Sequence, residues 1–254
     1  MKSLSSLIKS SKIFFAIFVL LCFGIFVSCG SKTEYHVGDI VLENGKVLSP
    51  NAFLDYEGDV EPMAIIFSVD GGHYEHSKRV LGVGLSISAG KAFATADTTG
   101  YYTNLTANQT VIAAQEFKIE SGAYNNEGFF GLLDGRKAWK NVARYDEKAK
   151  SSFEHYPAFD YAVNYGKNKG LKKFKNGWYL PTAAEAFELA EYIEIIQESA
   201  KLCGIPLFSG MVWTSSQNYG NNELQYVVSF LDGSVSLSFK DMEFNVCSVY
   251  CFAE

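Results

Sequence analysis

Cys29 is the residue whose surroundings most directly define a chemistry. Phe26-Val27-Ser28-Cys29-Gly30 closes an apolar run, and a cysteine so placed matches a bacterial lipobox. Its thiol would take a diacylglyceryl group, with cleavage just before it; Phe26 stands where Leu is commoner. Two or three acyl chains hold a protein stably on a membrane, where one is marginal. A second grouping is His73-x-x-His76 with Asp70 and Glu75, donors of the kind that bind metals. It lies in a Gly-rich loop and lacks a third or fourth ligand by spacing, so a solvated loop is expected and no metal is assigned. Third, Cys247 and Cys251 lie four apart, on one face of a strand. An exported protein can keep disulfides, and Cys203 could pair with either, leaving one thiol over. Fourth, Gln217-Asn218-Tyr219-Gly220-Asn221-Asn222 follows Trp213 closely. Tyr and Asn give adaptable contacts at low ordering cost, which makes this a candidate binding loop; its plainer reading is a solvated turn.

The elements that must position these residues begin after the leader. Lys2, Lys9 and Lys12 form a basic start, and Ile13 to Phe26 carries no charge. That run is shorter than the ~20 residues a spanning helix needs, so residues 1–28 are expected to be a lipoprotein signal peptide and 29–36 a tether. About 225 residues remain, enough for one large domain or somewhat more. The formal net charge of −6 weighs against nucleic acid as a partner.

Residues 37–88 suggest a small β module. Asn44-Gly45 between apolar runs is a hairpin signal, because both residues tolerate positive φ. Met63–Val69 and Val80–Ile87 have buried-strand character. Residues 89–126 are expected to be long loops, with at most a short helix near Ala107–Lys118. Ser151–Asn168 has helical spacing, with Pro157 in a first turn. A second helix starts at Thr182, whose hydroxyl and Glu185 form a capping box after Pro181, and ends at Gly204 and Pro206. Strands then follow at Met211–Ser215, Gln225–Leu231, Ser234–Phe239 and Cys247–Phe252.

From about Gly135 to Phe252 the chain resembles a widespread family of bacterial surface domains related to the C-type lectin fold, which also occur at the C-terminus of collagen-like bacterial adhesins. The matching residues are Tyr156-Pro157-Ala158, Asp160-Tyr161-Ala162, Gly177-Trp178-Tyr179-Leu180-Pro181-Thr182 with Glu185, Trp213-Thr214-Ser215-Ser216, Val227-Val228-Ser229-Phe230 and Asp232-Gly233. Val37–Val41 also looks like a module preceding this domain in related lipoproteins. Family members often carry an arginine in the last strand; Ser248 or Tyr250 stands about there. The resemblance implies an α+β fold over residues 89–254, two helices flanking a small twisted antiparallel sheet with long loops. In that frame Trp178, Pro181, Thr182 and Glu185 are structural joints. Trp213 is read mainly as buried near the sheet; a stacking role would make it a ligand residue together with Ser215, Gln217, Asn218, Tyr219, Asn221 and Asn222.

The triplets of calcium-dependent lectins are missing, and Glu61-Pro62-Met63 has only their start, so calcium is not assigned. Formylglycine-generating enzymes share a related fold and use two C-terminal cysteines, but the spacing here differs and their other motifs are missing. No nucleophile motif, phosphate loop or recognisable carboxylate pair is present, and His155 beside Glu154 suggests a surface pair at a helix start. The expected protein is therefore not an enzyme and has no cofactor. It is a lipid-anchored cell-envelope protein, on an outer membrane or cell surface, that binds a glycan, a peptide or a host component. The alternatives are a structural envelope lipoprotein without a ligand and a variable ligand-display protein.

Overall fold

The computed structural model describes residues 33–69, 78–96, 98–102, 134–205, 208–217 and 221–254. Cys29, the His73/His76 pair, the expected helix at 107–118, and Asn218 and Tyr219 lie outside them. Tyr35–Glu254 is one compact unit. Its described residues form both α-helices and two five-stranded sheets, which fits the α+β class.

The first sheet is built from β1 (Ile40–Leu42), β2 (Val47–Leu48), β3 (Pro62–Ser68), β4 (Val80–Gly84) and β10 (Val249–Ala253), in the order β10-β4-β3-β1-β2. All its pairings are antiparallel. Asn44 and Gly45 form the β1–β2 turn, where the Asn44 side chain accepts from the Lys46 N–H at 2.8 Å. Nearly every residue of β3 and β4 is buried, so their unbroken apolar runs follow from cover on both faces. One side packs Ile40, Ile65, Phe67 and Val83 against helix residues Leu189, Ile196 and Ala200. The other packs Met63, Ile66 and Val80 against Tyr165 and Trp178.

The second sheet has the order β5-β9-β6-β7-β8, formed by β5 (Ser88–Ala92), β6 (Met211–Gln217), β7 (Leu224–Ser229), β8 (Val235–Phe239) and β9 (Glu243–Val246). β6 and β9 run parallel; the other pairs are antiparallel. Because β10 lies beside β4 rather than in this sheet, the expected boundary between residues 88 and 89 passes through one unit. The first sheet needs a strand from the far end of the chain to be complete.

Six helices are described: α1 (Pro50–Leu54), α2 (Thr99–Tyr102), α3 (Ala138–Tyr145), α4 (Pro157–Asn168), α5 (Ala183–Glu191) and α6 (Ile193–Leu202). The helix expected from Ser151 begins only at Pro157, which occupies its first turn. Residues 147–150 instead form a 3-10 turn capped by Asp146. The helix after Thr182 is broken at Tyr192. No Gly or Pro marks this break. The turn re-aims α6, so that Ile196 and Ala200 enter the core and the Ser199 hydroxyl donates to the Gly38 carbonyl at 2.8 Å.

Candidate functional site

The Trp178–Glu185 segment fastens the two sheets together. Gly177 has φ +103°, and a Cβ there would meet the Tyr250 ring at 2.9 Å, so the turn needs glycine. Trp178 is buried against Tyr165 and Tyr250, and its Nε1 donates to the Phe174 carbonyl at 2.8 Å. The backbones of Tyr179 and Val249 exchange two hydrogen bonds of 3.0 Å, which ties the segment to β10. Two residues on, the Pro181 carbonyl accepts from the Ser215 N–H at 2.7 Å, and Ser216 Oγ accepts from the Ala183 N–H at 2.9 Å. Those bonds tie it to β6. The motif is a clasp between sheets.

Glu185 forms the centre of this clasp. The capping box is complete: Thr182 Oγ1 accepts from the Glu185 N–H at 3.1 Å, and Glu185 Oε2 accepts from the Thr182 N–H at 2.9 Å. The same carboxylate accepts from Arg79 at 3.0 Å, from the Tyr179 hydroxyl at 3.0 Å and from the Gly135 N–H at 3.2 Å. Burial raises the Glu185 carboxyl from its ordinary value. Against this, four donors converge on two oxygens, an arrangement only the ionised form accepts in full. Burial first, and the Glu185 charge second, drive the Tyr179 phenol well above its usual range, so it stays a donor. Arg79 also lies 3.4 Å from Asp134, which in turn pairs with Arg136 at 2.6 Å. Arg136 reaches on to Glu254. Arg79 directly precedes β4, the neighbour of β10.

The described members of the expected ligand face lie mostly inside the protein. Trp213 is 0% exposed; its Nε1 donates to the Lys91 carbonyl at 2.7 Å, and Phe93 and Phe244 meet its ring edge to face. No ring face of Trp213 is left exposed for a sugar. Ser215 and Gln217 are buried as well, and Gln217 Nε2 donates to the Asn222 carbonyl at 3.2 Å, closing the turn from inside. Asn221 accepts from the Glu223 N–H at 2.9 Å, leaving it and Asn222 half-exposed turn residues. His155 is also inside rather than on the surface, with Nδ1 3.3 Å from Asp146. The three described cysteines are unpaired. Burial pushes Cys247 up to about 12 and Cys203 up to about 11, which keeps both thiols protonated and poorly nucleophilic. Among the described residues no cluster of three or more His, Cys, Asp or Glu could hold a metal.

One hollow on the described surface lies beside α3. It measures about 570 Å³ and is lined by Trp139, Lys140, Ala143, Arg144, Ala149 and Lys150. Trp139 is half-buried and stacks on Phe153 at 4.2 Å between ring centroids, with Tyr156 and Phe159 beside it. Lys140 and Arg144 are exposed and lie one turn apart on the same helix face. Sequence reasoning passed over this stretch. The available signal was the Lys-Ala-Trp-Lys run with Arg144, Lys148 and Lys150, cationic in an acidic chain.

No protein-family model matches the sequence, and no curated protein matches it. The fold is similar to the crystal structure of a fimbrial protein from Bacteroides ovatus ATCC 8483, with a TM-score of 0.57 and 18% sequence identity. That match covers 85% of this chain and 48% of the other, so the chain spans about half the length of its structural neighbour. Among the described residues no helix is long and apolar enough to cross a membrane.

Proposed function

We propose that this protein is a lipid-anchored cell-envelope component whose C-type-lectin-like domain binds a glycan, peptide or host surface molecule and catalyses no reaction. The observation that carries this reading is the likeness of its fold to a fimbrial protein over 85% of the chain. The lipobox-like ending at Cys29 supports attachment through an N-terminal lipid. The lectin-like frame is proposed for α4 and α5 with β6 to β9, where the Gly177–Thr182 and Trp213–Ser216 motifs meet. Binding rather than chemistry is supported by the described polar groups. Glu185, Tyr179 and Arg79 are consumed in the clasp, and the Cys203 and Cys247 thiols are raised by burial.

The test applies the full chain, in nonionic detergent, to an array of glycans and extracellular-matrix proteins, with and without calcium. Reproducible binding to a restricted set supports the proposal. Silence across the array points instead to a structural envelope role. Acyl labelling that survives Cys29→Ala would remove the lipid anchor from the proposal.

A further inference from the structure

We infer that the hollow beside α3 is a binding site for an acidic glycan, one carrying carboxylate or sulfate groups; this rests on the binding function proposed above and names its ligand class. Residues 137–150 expose five cations, Lys137, Lys140, Arg144, Lys148 and Lys150. The opposing carboxylates are two. Asp146 is buried, where it caps the 3-10 turn and faces His155. Glu147 pairs with Lys150 at 3.1 Å. Among the described residues no carboxylate pairs with Lys140 or Arg144. Residues 137–150 thus carry a formal charge of +3, five cations less two carboxylates, on a chain whose formal net charge is −6, and such a local excess draws anionic ligands.

The aromatic wall distinguishes a sugar from other anions. Trp139 is held by its stack on Phe153, so its uncovered part is a fixed apolar surface beside two cations. A pyranose ring bearing a carboxylate or sulfate matches both, with C–H groups on the indole and the anion on Lys140 or Arg144. Ala143 and Ala149 keep the floor of the hollow low. A membrane surface fits less well, because the large exposed apolar side chains, such as Leu231, Phe239 and Met242, all lie outside residues 137–150. An extended peptide has no strand to pair with here, since the walls are helix and 3-10 turn.

The experiment measures binding of the full chain in nonionic detergent to immobilised chondroitin sulfate, polygalacturonate and neutral dextran. A DNA duplex and phosphatidylglycerol vesicles run in parallel. The variants are Lys140→Glu/Arg144→Glu, Trp139→Phe, and the remote pair Lys172→Glu/Lys175→Glu, which changes net charge equally. Melting temperatures confirm that each variant is folded. The expected result is binding to one or both acidic glycans and not to dextran. Affinity should fall about tenfold or more in Lys140→Glu/Arg144→Glu and no more than about twofold in the remote pair. Trp139→Phe should weaken glycan binding while leaving any DNA binding unchanged. The inference is overturned if both charge-reversed pairs lose affinity equally, or if DNA or vesicles bind as tightly as the glycans. Binding to a neutral glycan or a protein, unaffected by Lys140→Glu/Arg144→Glu, overturns it too but leaves the proposed function standing. Absence of any ligand overturns both.

Discussion

Replacing Glu188 by Gln should alter the pH dependence of stability within one window. Glu188 is 2% exposed on α5, and its Oε1 meets no donor among the described residues. The groups facing it are Ser68 of β3, Arg79 before β4, and Glu185 and Glu191 of its own helix, with Tyr192 at the helix end. Burial is the largest influence and lifts the carboxyl from 4.5 to about 7, opposed by the Ser68 hydrogen bond and aided by the Glu185 charge. Between those values the folded protein holds a proton that the unfolded chain has released. The stability that Glu188 contributes is therefore highest below pH 4.5, falls as pH rises towards 7, and is level above it. At roughly 1.4 kcal/mol per pH unit, the whole fall is about 3 kcal/mol. Glutamine stays neutral throughout. The unfolding free energies of Glu188→Gln and the parent should differ least near pH 4 and diverge by about 3 kcal/mol, in the variant's favour, by pH 8. Urea unfolding followed by tryptophan fluorescence across that range measures the difference directly. A difference that stays constant with pH, or one that favours the parent at pH 8, would refute the reasoning.

Trp213→Ala should cost about 3–5 kcal/mol of unfolding free energy, the usual loss for a large buried aromatic. A loss below about 1 kcal/mol, with glycan binding abolished, would restore Trp213 as a ligand residue. Thr182→Ala should cost about 1 kcal/mol in thermal unfolding, because Glu185 keeps its other donors; no loss would mean that the capping box contributes nothing. Cys247 should resist thiol reagents in the native protein and react only on unfolding, and rapid native labelling at that residue by mass spectrometry would contradict its burial.

The parts of this fold legible in the sequence are those with short-range causes. Thr182 and Glu185 lie three apart, and their reciprocal hydrogen bonds need only a helix start, so the capping box is readable from residue types alone. Asn44-Gly45 and Pro157 are local in the same way. The strand at Glu243–Val246 was missed because Glu-Phe-Asn-Val has little β character. It is fixed instead by its neighbours β5 and β6, and β-propensity yields to such contacts. Ser88–Ala92, with its Gly and Lys, was missed for the same reason. Arg79 could not be assigned to Glu185, because 106 residues separate them. An indole near a polar loop looks the same in sequence whether it faces solvent or core. For Trp213 the choice depends on Phe93 and Phe244, which arrive from other strands.

The place of β10 beside β4 has a consequence for the timing of folding. Val249 pairs with Val83, roughly 170 residues earlier, and such distant pairings are slow to form. Until Val249–Ala253 is available, β4 has an open edge and Tyr179 lacks the partner that ties the clasp to the first sheet. A chain arranged this way cannot finish its first sheet until Val249–Ala253 has been synthesised.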